Sequence, residues 1–233
     1  MSQSVHPISL SCRVLARLLD YPSDQTRAQL PELLKALQDE RALSPARLAE
    51  VEALVGRLAR PDAYAVQALY VESFDRGRAT SLHMFEHVHG DSRERGPALV
   101  DLQQTYAAAG MFFDASELPD YLPVVLEFAS TQPPAVAREF LGEMAHILNA
   151  IHSALIKRPD SQGRAYAAAI GAVLELAGER PQAVQITADE PLDEAWVEPA
   201  AFDGCSSKGQ SAPGAPQAIH IVRKSSSSEG ARI

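Results

Sequence analysis

PPAVAREFLGEMAHILNAIHSAL, residues 133–155, is the stretch that decides the fold. Val136, Phe140, Met144, Ile147, Ile151 and Leu155 recur at spacings of 4, 4, 3, 4 and 4, the period of a helix with one apolar stripe. Pro133-Pro134 suits its opening, since proline is tolerated in a first helical turn. The spacing predicts the longest helix of the chain here. Toward the C-terminus, Ser161 opens a last helix through Ile170, Val173, Leu174 and Leu176, stopping near Gly178. Toward the N-terminus, Leu118–Phe128 reads as a helix with Pro119 in its first turn; Pro123 then removes a donor one turn later and predicts a kink or a free carbonyl.

The first half repeats the pattern. Leu10, Val14 and Leu18, with Leu15 and Leu19 beside them, form a helical stripe closed by Tyr21-Pro22-Ser23. Asp24 is positioned to cap a second helix faced by Leu30, Leu33, Leu34 and Leu37, which Pro31 should bend or restart. Ser44-Pro45 is a cap followed by proline, ahead of Leu48, Val51, Leu54, Val55 and Leu58; Pro61-Asp62 opens a fourth helix with Val66, Leu69, Tyr70 and Phe74. Asp91-Ser-Arg-Glu94 has capping-box spacing, starting a helix with Leu99, Leu102, Tyr106 and Ala109 on one face and Gly110 at its end. No strand alternation longer than a few residues and no repeat precedes Pro181. The fold class is all-α: one helical-bundle-like domain of about eight helices over residues 1–185.

Between Phe74 and Asp91 the helical period breaks. The gap holds Asp75, Arg76, Arg78, His83, Glu86, His87, His89 and Asp91 beside Phe74 and Phe85. Four arginines (Arg76, Arg78, Arg93, Arg95) balance four carboxylates (Asp75, Glu86, Asp91, Glu94) over residues 75–95, which points to internal pairing under partial burial.

Bulk properties narrow the function classes. The chain of 233 residues carries a net charge of −9, which argues against nucleic acid or an anionic membrane as principal partner and is compatible with a basic peptide. Cys12 and Cys205 lie near opposite ends and form no CxxC pair, as expected in a reducing compartment. The start, MSQSVHP, lacks a secretory signal, and no apolar run approaches the ~20 residues that span a bilayer. The expectation is a soluble cytoplasmic protein. Residues 186–233 change character: Asp189, Glu190, Asp193, Glu194 and Glu198 precede a Gly/Ser/Pro-rich run. That composition reads as a flexible tail, or, around Trp196, as a short strap over Ala195–Phe202. Ending the chain after Arg180 is expected to leave the fold intact.

Three kinds of chemistry compete at the centre. His83 and His87 at i, i+4, with His89 and Asp91, could hold a metal, but H-E-x-x-H is not met and no cysteine is near. No nucleophile elbow, P-loop or dinucleotide fingerprint is present, so no cofactor and no catalysis are predicted; a small metal-dependent enzyme built on His83, His87, His89 and Asp91 is the alternative. The third possibility is helix-in-groove peptide binding, with Tyr70, Phe74, Phe85, Tyr121, Leu122 and Phe128 as apolar lining and Asp120 and Glu127 as acidic rim; ordinary core packing explains the same aromatics.

The motifs YxxxFDR (70–76), SLHxFEHVHGDSRERG (81–96) and LPDYLPVxLEF (118–128), with LLxYP (18–22), resemble the NarJ-type assembly chaperones of respiratory nitrate reductase, over about residues 8–180. The resemblance implies an all-helical fold without catalysis. It implies binding of the enzyme's molybdenum-containing catalytic subunit through that subunit's N-terminal, leader-like segment. It also implies support of molybdenum cofactor insertion, with cofactor delivery proteins as further partners, and delayed membrane docking. The expected binding residues are Tyr70, Phe74, Asp75, Arg76, His87, His89, Asp91, Arg93, Asp120, Tyr121, Leu122, Leu126 and Glu127. Asp75, Asp91, Arg76 and Arg93 are expected to fix the central loop, Tyr121, Leu122 and Leu126 to line the groove, and Asp120 and Glu127 to meet basic residues of the partner. With histidines among local carboxylates, affinity should fall from about pH 8 to 6.

Overall fold

The structure, a computed structural model, describes residues 7–90, 92–112, 117–158 and 163–184. The chain divides into a unit Met1–Asp189 and a unit Glu190–Ile233; the acidic and Gly/Ser/Pro-rich tail, 186–233, and the strap around Trp196 lie outside the described residues. Among those residues the regular elements are ten α-helices and two 3₁₀ turns: α1 Ser9–Leu19, α2 Asp24–Glu40, α3 Pro45–Leu58, α4 Ala63–Phe74, α5 Met84–His89, α6 Arg95–Ala108, α7 Leu122–Thr131, α8 Pro134–Glu143, α9 Ala145–Lys157 and α10 Ala167–Leu176, with the 3₁₀ turns at Arg78–Thr80 and Gly163–Tyr166. The fold is all-α. None of the described helices is long and apolar enough to cross a membrane.

The N-termini of α2, α3 and α4 follow from side-chain caps. Ser23, Ser44 and Asp62 accept hydrogen bonds from the backbone N–H of Thr26, Arg47 and Ala65, supplying acceptors to otherwise orphaned donors. Ser23 takes the role expected of Asp24, which becomes the first residue of α2. Pro31 does not restart that helix; α2 runs continuously to Glu40.

α1 packs against α7, α2 and α10. Its buried arc is centred on Leu15 and includes Cys12, Val14, Leu18 and Leu19; Leu10, expected on this face, sits beyond the arc and is 45% exposed. Cys12 is fully buried, and burial pushes its thiol up to about 12, leaving a packing residue rather than a nucleophile. α10, AAAIGAVLEL, is buried on nearly every side against α9 and α3. It ends in a Schellman arrangement: Gly178 has φ 85°, and Glu179 N donates to the Leu174 carbonyl at 2.9 Å.

Three expectations are corrected. Residues 133–155 form two helices broken at Met144 (φ −93°, ψ 3°). The destabilising Gly142 lies just before the break, and the buried residues of α8 are Ala137 and Leu141, not Val136 and Phe140. α7 starts at Leu122, so Pro123 sits in a first turn where its missing donor costs nothing, and no kink is needed. α6 starts after Glu94 without a side-chain cap; the Glu94 N–H is taken by Ser92 Oγ at 3.2 Å, and Asp91, the head of the expected capping box, lies outside the described residues.

Residues 181–184 belong to the packing. Asn149 Oδ1 accepts from Gln182 N at 2.6 Å, Ser153 Oγ donates to the Gln182 carbonyl at 3.2 Å, and Val184 N donates to Ser153 Oγ at 3.0 Å. Asn149 and Ser153 are buried, and a buried polar group left unpaired costs about 1–3 kcal/mol. A chain ending after Arg180 should therefore unfold at lower urea than one ending after Val184, by about 2 kcal/mol. Identical transitions for the two would show these bonds to be dispensable.

Candidate functional site

The central segment is held by a short piece of antiparallel pairing. Leu122 N donates to the Leu82 carbonyl at 2.8 Å, and Met84 N donates to the Asp120 carbonyl at 3.0 Å, making an isolated bridge between His83 and Tyr121. This sets Asp120 beneath the start of α5, where Oδ2 accepts from Phe85 N at 3.0 Å. A carboxylate 35 residues away in sequence thus caps α5, complementing the partial positive charge of exposed helix donors.

Asp120 is 0% exposed. His83 Nδ1 faces its Oδ1 at 3.5 Å, and Arg95 Nη2 lies 3.8 Å from its Oδ2 and 3.2 Å from Glu86 Oε1. His83 Nδ1, Asp120 Oδ1 and Arg95 Nε make no hydrogen bond among the described residues; charge rather than tight hydrogen bonding joins them. The charge network of the centre is therefore His83–Asp120–Arg95–Glu86. Arg76 instead pairs with Glu72 at 3.5 Å on the surface, Asp75 is the exposed C-cap of α4, Arg93 is exposed, and Asp91 is outside the described residues.

The three central histidines point to different partners. His87 Nε2 bonds the Ser81 carbonyl at 2.9 Å, and the His89 ring lies edge-on to Phe85 at 5.6 Å. No group of three or more His, Cys, Asp or Glu side chains suited to a metal occurs among the described residues. Of the central histidines, His83 faces a carboxylate, that of Asp120. Asp120 beside it raises the His83 imidazole above its ordinary value against the opposing effect of burial; Glu86 adds to the rise and Arg95 reduces it.

A raised histidine pKa stabilises the fold fully below the unfolded value, about 6.5, and that contribution is lost as pH rises through the elevated folded value. The stability difference between wild type and His83→Gln is therefore expected to be largest near pH 6 and to shrink by pH 8, read from urea unfolding at each pH. His152, lowered by burial and then by Arg47, acts in the opposite sense: its contribution is present above the unfolded value and lost toward acid. His152→Gln should accordingly reduce acid sensitivity. A difference for His83→Gln that grows toward pH 8 would refute the pairing with Asp120.

Beside this network, Tyr121 joins the body to an open groove. Its hydroxyl meets the Tyr70 hydroxyl at 2.8 Å and Asp20 Oδ1 at 3.5 Å, while Tyr70 donates to the Leu19 carbonyl at 3.2 Å. Burial raises both phenols, keeping them neutral donors. Behind them, Phe74 packs on Tyr70 at 5.1 Å and on Tyr166 at 4.8 Å. The groove, about 910 Å³, runs between α1, α2 and α7, with Leu33, Pro123 and Val124 as apolar lining and Arg13, Arg17, Asp20 and Glu127 as charged lining. Arg17 and Glu127 stand 4.0 Å apart, both about half exposed.

Of the residues expected to bind, Tyr121 and Glu127 line this groove. Leu122 and Leu126 do not: both are 0% exposed, because α7 turns them toward the core and Val124 outward. Asp120 cannot meet a partner's cations from its buried place under α5. The groove's α1 and α2 residues were missed in the sequence; Arg13 and Arg17, charged at i, i+4 on an otherwise uncharged helix, were the available signal.

Residues 20–158 match the family described as nitrate reductase delta subunit. The nitrate reductase molybdenum cofactor assembly chaperone NarJ of Escherichia coli (strain K12) is 36% identical over 184 residues, covering 78% of this chain and 76% of that protein. The probable assembly chaperone NarW of the same strain is 40% identical over 142 residues, 57% of this chain and 60% of that protein. The probable NarJ of Bacillus subtilis (strain 168) is 38% identical over 133 residues, 56% of this chain and 67% of that protein. With that breadth of similarity, the chain belongs to the nitrate reductase delta subunit family and is of the NarJ type.

Proposed function

We propose that this chain is a cytoplasmic assembly chaperone, not an enzyme, for a respiratory nitrate reductase. It binds the apo catalytic subunit through that subunit's N-terminal segment, keeps it open to molybdenum cofactor insertion by delivery proteins, and delays its docking on the membrane. The groove beside Tyr121 carries this reading. It is preformed and open, and it sets apolar lining next to the carboxylates of Asp20 and Glu127, the combination that takes an amphipathic helix. Tyr70 and Phe74 support Tyr121 from behind, and the network under α5 holds the bridge from which Tyr121 projects. His87, His89, Asp75, Arg76 and Arg93 would then act by shaping the central segment or at its rim. The domain competent for this task is residues 1–185.

Calorimetry with the catalytic subunit's N-terminal peptide tests the reading. Tyr121→Ala should lose about 2 kcal/mol, the scale of an aromatic hot spot. Val124→Arg, on the outward side of α7, should weaken binding at least as much without touching the Tyr70 hydrogen bond. Tyr64→Ala, on exposed α4 surface, is the control. Wild-type affinity in both groove variants would place the peptide elsewhere.

A further inference from the structure

The geometry points to a second docking surface, between α6 and α8, for a cationic amphipathic helix of a partner protein. It does not rest on the reading of the Tyr121 groove. A cleft of about 530 Å³ opens there, floored by Phe85, Leu102, Val136 and Phe140 and edged by Asp101, Glu139 and Glu143.

Two independent features set it apart from ordinary surface. The first is the apolar floor. Val136 and Phe140, at i, i+4, form a stripe beside the buried Ala137 and Leu141; Val136 is 48% exposed and Phe140 is partly buried. Phe140 is anchored edge-on to Phe128 at 5.0 Å, and Phe128 packs on Tyr106 at 4.5 Å. The floor is therefore fixed in place before anything arrives, which limits the ordering cost of binding.

Charge is the second feature. Asp101 stands on the α6 wall, and Glu139 and Glu143, at i, i+4, line the α8 wall. No Arg, Lys or His lines the cleft, and these three carboxylates have no ion-pair partner among the described residues. An apolar strip with anionic lips on both sides fits a helix with Leu or Phe at i, i+3, i+4 and i+7 and Lys or Arg on both flanks. The Tyr121 groove differs in kind, since Arg13 and Arg17 stand among its acids.

The test is an NMR titration of the ¹⁵N-labelled full chain with a 15-residue probe peptide, Leu at i, i+3, i+4, i+7 and i+11 and Lys or Arg elsewhere, beside a counterpart with Glu replacing every cation. The cationic probe should shift residues 98–105 and 136–143, and the anionic counterpart should leave them unmoved. Asp101→Lys/Glu139→Lys should weaken the cationic probe at least ten-fold, and Val136→Lys several-fold. Asp24→Lys/Glu32→Lys, an equal charge change on exposed α2, should weaken it less than two-fold. All five positions are on the surface, and far-UV circular dichroism confirms folding of each variant. Shifts confined to the Tyr121 groove, equal losses from both charge reversals, binding of the anionic counterpart, or shifts reproduced by concentrating the chain alone would each overturn the proposal. Failure of Val124→Arg to weaken the catalytic subunit's peptide would count against the Tyr121 groove only.

Discussion

Asp120→Ala is expected to cost the fold about 3 kcal/mol or more, the range for removing one partner of a buried charge cluster. The side chain is 0% exposed and accepts from Phe85 N at 3.0 Å while facing His83 and Arg95. Truncation leaves an orphaned helix donor and leaves Arg95 with Glu86 as its remaining carboxylate. Asp120→Asn should lose less, because an amide oxygen still accepts from Phe85 N. Urea unfolding of the two variants provides the comparison, and hydrogen exchange should show α5 losing protection before α1 and α10. A cost for Asp120→Ala below about 1 kcal/mol would reduce Asp120 to an ordinary helix cap.

Tyr106→Ala should cost a similar amount, about 3 kcal/mol, typical of a large aromatic removed from a core. Tyr106 is the one fully buried side chain among the described residues of α6. Its hydroxyl donates to the Pro119 carbonyl at 2.9 Å, and its ring packs on Phe128. Losing it removes the anchor of a 14-residue helix. The expected signature is local: α6 amides should exchange nearly freely while α7, α9 and α10 stay protected. Tyr106→Phe keeps the ring and should lose only about 1 kcal/mol, the hydrogen bond alone. Uniform loss of protection across all helices would show instead that α6 unfolds only with the whole body.

The class and most of the helix boundaries could be read from residues alone, because Ser23, Ser44-Pro45, Asp62 and Gly178 punctuate locally and the apolar stripes recur over several turns. Two things were hidden. Period shows which positions share a face but not which face meets water: Val136 reads as core and is exposed, Phe140 only packs against the core from its edge, and Ala137 and Leu141 are the buried positions. In the same way Leu122 and Leu126 looked available to a ligand and are sealed. The other hidden element was the partner of His83. Asp75, Glu86, Asp91 and Glu94 all lie nearer in sequence than Asp120, yet the Leu82–Leu122 pairing brings Asp120 in from the far side of α6. α5 itself escaped notice because six residues are too few for a period to emerge.

That pairing also orders events in time. The segment from His83 to Asp120, α5 and α6 included, is an excursion closed at its neck by two backbone hydrogen bonds and one carboxylate, with α6 tied to the body by Tyr106 on Phe128. Six residues cannot sustain a helix unaided, so α5 must wait for the Leu118–Tyr121 turn, and the chain must first meet the entropy of closing a long loop, a cost that grows only slowly with length. Lengthening the excursion between its elements should accordingly be a mild change, about 0.6 kcal/mol for a doubling. A single substitution at the neck should instead release α5, which then opens and closes faster than the helices on which it rests.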